Sequence, residues 1–152
     1  MKPARPRTSA KATVPGVANF RADPLFPKIE RAVASNLAKG KVVAPVDVLV
    51  AMQLLAPDKL EDWRRGRLPY LERVIDCNLT RLSRLLRILR FHAHDLNLVP
   101  TQTVYHRRGK GPKQALRFTK TGDANLEAAY ARHFVWLGKQ AFKPPSPAAD
   151  SA

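Results

Sequence analysis

The chain has 152 residues, 45% of them hydrophobic, and carries 27 Lys or Arg against 12 Asp or Glu, a net charge of +15. That length supports one self-sustaining core, and that composition excludes a wholly disordered chain. The charge imbalance points to an anionic partner, and a single cysteine, Cys77, excludes an internal disulfide and a cysteine-rich zinc site.

In chain order, residues 1–24 are Pro-rich, with five cations and no acid in the first 22 and no hydrophobic period. They read as a disordered basic arm, and Pro3, Pro6 and Pro15 oppose the amphipathic helix of a transit peptide. Residues 25–142 read as one domain, and residues 143–152, "KPPSPAADSA", as a disordered tail. The domain opens with a helix over Pro27 to Ala38, apolar through Ile29, Val33 and Leu37, with Gly40 just past its end. A second helix from Pro45 to about Leu55 is apolar on most sides, which predicts burial. A third starts at Pro57, with Asp58, Glu61 and Asp62 early, Arg64 and Arg65 late, and Gly66 as its stop, as the helix dipole prefers.

A long helical pattern runs from Pro69 to about Leu98. Leu71, Ile75, Leu82, Leu85, Leu86, Leu89, Ala93 and Leu96 share one stripe, and Arg73, Arg81, Arg84 and Arg87 face the other way. Asn78 and Thr80 are both competent caps, so the pattern reads either as one helix or as two, about 69–77 and 80–97. After Pro100 the period becomes two on both sides of "GKGPK", which predicts a β-hairpin at about 101–120 with its tip at Arg108 to Lys113. Asp123 then caps a last helix carrying Leu126, Tyr130, Phe134 and Leu137. The fold class expected is mainly α with one β-hairpin (α+β). Its element order over residues 45–120 resembles a winged helix-turn-helix.

Between Thr101 and Gly122 stand six cations, Arg107, Arg108, Lys110, Lys113, Arg117 and Lys120, and no acid. A hairpin kept polar against edge pairing needs one or two lysines; six like charges on one ribbon favour a polyanion. The glycines are turn residues and not a nucleotide cradle, because the spacing GxxxxGK[ST] between a strand and a helix is absent. Arg73, Arg81, Arg84 and Arg87 form the second basic element, since guanidinium forks suit phosphates and guanine edges. Tyr105, among cations, is a candidate for stacking on a base, whereas Trp63, Tyr70 and Trp136 read as core.

Catalysis and metals have less support. His92 and His94 are two apart, on different sides of a helix, where a shared metal needs i, i+4, so they read as solvated residues near the helix end. His106 and His133, helped by Lys110, are the weakest candidates: an acid/base pair for RNA cleavage.

The stretches "LEDWRRGRLPYLERVI", "RRGKGPKQALRFTKTGD" and "AYARHF" resemble those of a group of short, basic, uncharacterised bacterial proteins. The resemblance covers most of the folded part, implies a bacterial cytoplasmic protein, and carries no activity or site residue. No apolar run approaches the ~20 residues of a membrane span. The function expected is non-enzymatic binding of duplex DNA, without cofactor, metal or membrane. Arg73, Arg81, Arg84, Arg87, Tyr105, Arg107, Arg108, Lys110, Lys113, Arg117 and Lys120 form the interface. Structured RNA, an acidic protein partner and a small nuclease are the alternatives.

Overall fold

The computed structural model describes Gly16 and residues 19–137. Most of the expected arm and all of the expected tail lie outside them. Five α-helices and a small sheet follow one another as α1 Phe26–Lys39, β1 Val42–Val43, α2 Pro45–Ala51, α3 Pro57–Arg64, α4 Leu79–Asp95, β2 Val99–Gln102, α5 Ala124–Ala131 and β3 Arg132–Val135. Short 3-10 turns at Phe20–Ala22 and Leu71–Val74 complete the order. The protein is therefore mainly helical, with a three-stranded antiparallel sheet in the order β1-β3-β2.

The apolar periods dictate the packing. Ile29, Ala32, Val33 and Leu37 bury one side of α1 against α2 and against α4, which contributes Leu82, Leu85, Leu86, Ile88, Leu89 and Ala93. Burial of this kind supplies most of the driving force for a helix, because isolated helices of such length are marginal in water. Proline opens α2 and α3 and stands in the first turn of α1, where a missing N–H costs nothing. The break in the long helical pattern falls at Asn78, whose side chain accepts a bond from the Arg81 N–H at 2.8 Å and caps α4. Of the two readings of residues 69–98 the divided one holds, although the first part is a 3-10 turn and not an α-helix.

Two expectations need correction. The basic arm ends earlier than residue 24: Phe20 is buried with Phe26 and Phe91, and Asp23 bonds to α4. The expected hairpin at 101–120 is replaced by long-range pairing. β2 takes β3 as partner, with Val99 opposite Val135 and Gln102 opposite Arg132, so residues expected at the end of the last helix form the central strand. Only one bridge, His106 to Ala115, remains of the hairpin, flanked by Arg107 N–H to Gln114 O at 2.8 Å and Leu116 N–H to Tyr105 O at 2.8 Å.

The expected second strand has other partners. Arg117 O accepts from Leu71 N–H at 3.1 Å, Phe118 O from Glu72 N–H at 2.9 Å, and the Glu127 carboxylate takes the N–H groups of Phe118 and Thr119 at 3.0 and 2.7 Å. Trp63, Tyr105, Phe118 and Tyr130 pack together with ring centroids 4.9 to 5.4 Å apart, Phe118 stacked on Tyr130 and the other pairs tilted or edge-on. Aromatic burial and satisfied backbone groups thus hold residues 103–122 as an anchored loop.

Candidate nucleic-acid interface

Successive residues of β3 point to opposite faces of the sheet, and this alternation separates two clefts. On one face Arg132 and Phe134 line a groove against α4. One end, about 460 Å³, includes Ser83, Arg87, Arg90, Asp123 and Asn125. Its continuation, about 480 Å³, shares Arg90, Arg132 and Phe134 and runs on to His94 and Pro100. Three arginines and a histidine line this groove, with Asp123 its one acid. Among the described residues Arg87 and Arg132 make no ion pair or side-chain hydrogen bond. Arg90 lies 5.1 Å over the Phe91 ring.

The other members of the arginine row are divided. Arg81 is exposed and makes no close ion pair among the described residues, although its charge helps to hold Asp23 down at longer range. Arg84, expected to face nucleic acid, instead gives Nε and one terminal nitrogen to the two oxygens of Asp23, both at 3.0 Å. Burial alone would raise the Asp23 carboxyl, but these bonds and the Leu25 N–H bring it below its ordinary value. Arg84 is thus a structural clamp on the N-terminal segment. Arg73 is exposed on the Leu71–Val74 turn, outside the groove.

On the opposite face of β3, His133 looks into a cleft of about 380 Å³ with Asp47, Glu61, Arg64, Tyr105 and Arg108. The arginine helix and the base of the basic loop therefore line different clefts. Within the loop several expected contacts are internal. Arg107 folds over Gly66 and donates to Lys110 O at 2.7 Å. Arg108 N–H donates to Arg64 O at 2.8 Å, and its guanidinium pairs with Glu61 at 2.9 Å. Arg117 donates to the carbonyls of Thr119 and Lys120 and holds the bend before Gly122. Lys110, Lys113 and Lys120 remain exposed.

Tyr105, expected to stack on a base, is 8% exposed, and its hydroxyl shares a 2.8 Å hydrogen bond with His133 Nε2. Burial pushes its phenol up to about 12 and holds the His133 imidazolium below its ordinary range. No contact among the described residues joins His106 to His133, which answers to Tyr105 instead. His92 also departs from expectation: it is buried against Phe26 while His94 is exposed.

Sequence reasoning missed Arg90 and Arg132. Arg90 continues the row at three-residue spacing from Arg81, so its signal was present. Arg132 had none, because its place depends on a strand pairing thirty residues away in sequence. Among the described residues no group of three His, Cys, Asp or Glu is placed to hold a metal, and no helix is long and apolar enough to cross a membrane. No protein-family model, curated protein or solved structure matches the chain.

Proposed function

We propose that the chain is a non-enzymatic nucleic-acid-binding protein that holds duplex DNA along the groove beside α4, in a bacterial cytoplasm. The observation that carries this reading is the alignment of Arg87, Arg90 and Arg132 in one groove, none of them ion-paired among the described residues. A guanidinium left free by its own protein suits a phosphate, to which its planar fork can donate two bonds at once. Arg81 extends the row toward the helix N-terminus, and the net charge of +15 supplies attraction at longer range.

The expected likeness to a winged helix-turn-helix rests on the order of helices before α4 alone, since one bridge is what remains of the hairpin that would be the wing. The reading rests on the helix groove rather than on a wing, because the cleft holding Arg108 opens on the other face of β3. Backbone contacts of this kind position a duplex without reading its sequence.

Titration of a labelled duplex, followed by fluorescence anisotropy, tests the proposal. Arg87→Ala and Arg90→Ala are each expected to weaken binding by about 1 kcal/mol, roughly fivefold, on every duplex tried. Unchanged affinity in the double variant overturns the assignment. Competition with structured RNA separates the two nucleic acids, and the duplex is expected to win.

A further inference from the structure

The cleft on the His133 face of the sheet is built differently from the groove. Val46, Val50, Pro57 and Leu60 give it an apolar wall, and Arg64, Tyr105 and His133 form a polar floor. Arg64 is the anomaly. Its guanidinium lies 4.8 Å over the Tyr105 ring, its Nε is buried without a hydrogen-bond partner, and none of its donors meets an acceptor among the described residues.

A guanidinium carries five N–H donors, and leaving the buried Nε–H of Arg64 unmade is costly. Burial disfavours the Arg64 charge, and the neighbouring Arg108 guanidinium adds repulsion. Glu61 favours the charge, but its oxygens are already bonded to Arg65 at 2.7 Å and Arg108 at 2.9 Å. Asp47, at the rim, attracts only at longer range. Such a site suits an oxyanion. Tyr105 and His133, both neutral at pH 7 and tied together at 2.8 Å, add polar groups of fixed direction beside it. The wall accommodates a compact apolar body.

We infer that this cleft is a binding site for a small molecule that carries a carboxylate or phosphate group on an apolar body, with Arg64 as the anchor for the oxyanion. Nucleic-acid binding is carried by other residues on the other face of β3, so the two proposals fail independently.

The test is calorimetric titration of the full chain with benzoate, phenyl phosphate and inorganic phosphate, together with the NMR signals of the His133 ring. One-site saturable binding of benzoate or phenyl phosphate that shifts the His133 signals is expected, tighter than inorganic phosphate by at least severalfold. The two aromatic probes decide between carboxylate and phosphate. Arg64→Met should weaken binding tenfold or more, and Arg64→Lys less. Val42→Glu, an exposed change at the rim, keeps the test open if Arg64→Met does not fold; it should weaken binding severalfold through charge repulsion. Arg90→Ala should leave it unchanged. Absence of saturable binding by both aromatic probes overturns the inference, as does equal binding by Arg64→Met or a loss in Arg90→Ala.

Discussion

His92 is 4% exposed, and neither ring nitrogen has a hydrogen-bond partner among the described residues, an arrangement that favours a neutral imidazole. Burial brings its pKa from the ordinary 6.5 to about 4. Above 6.5 the ring is neutral in both folded and unfolded chains, and pH has no leverage through it. As the pH falls, the unfolded chain takes up a proton that the native state refuses until about 4, so stability declines over that window by about 3 kcal/mol. His92→Leu is expected to remove this slope and to leave stability at pH 7 equal or higher by about 1 kcal/mol. Urea titrations of both proteins between pH 7 and pH 4 check it, and parallel slopes contradict it. Arg84 offers a second contrast at this scale. Its bond to Asp23 predicts that Arg84→Met loses about 1–2 kcal/mol of stability, with faster hydrogen exchange at Phe20–Ala22. Its affinity for duplex DNA should not change.

Among the elements, those defined by local signals were legible in the sequence and those defined by distant partners were not. α1 follows its period to within a residue at each end, and α4 begins at the cap that Asn78 foreshadowed. α2 stops sooner than its apolar run, at Ala51, because the chain turns through Gln53 with a positive φ of 63°. The loop of residues 103–122 shows the other case. Its alternating flanks have strand character, yet Trp63, Glu72 and Glu127 claim their backbone and side chains, and β3 claims the preceding residues. Gly66 is the local condition for this arrangement. It has φ of 77°, and a Cβ there would stand 2.5 Å from Arg107 Cδ. Gly66→Ala should therefore cost about 1–2 kcal/mol and loosen the loop tip, read as lower stability in urea and faster exchange at Arg107 N–H.

For the molecule as a whole, charge was the most legible property, and its distribution the least. Composition alone gives the excess of cations, but periodicity could not tell that Arg84, Arg107, Arg108 and Arg117 bind their own chain. Nor could it bring Arg132 beside Arg87 and Arg90. Of the eleven residues expected at the interface, Arg84, Tyr105, Arg107, Arg108 and Arg117 bond within the chain, Lys110, Lys113 and Lys120 are exposed on the loop, Arg73 and Arg81 are exposed outside the groove, and Arg87 lines it. Lys110→Ala with Lys113→Ala is accordingly expected to reduce duplex affinity less than Arg87→Ala with Arg90→Ala, in parallel anisotropy titrations. Phosphate neutralisation by that groove is read in the dependence of duplex binding on salt. Each neutralised phosphate releases counterions and contributes about −0.9 to the slope of log K against log salt. The wild-type slope should be about −3 or steeper, and replacement of Arg87, Arg90 and Arg132 by Ala should make it shallower by about 2 to 3. A flat wild-type slope, or the same slope in both proteins, would contradict the account.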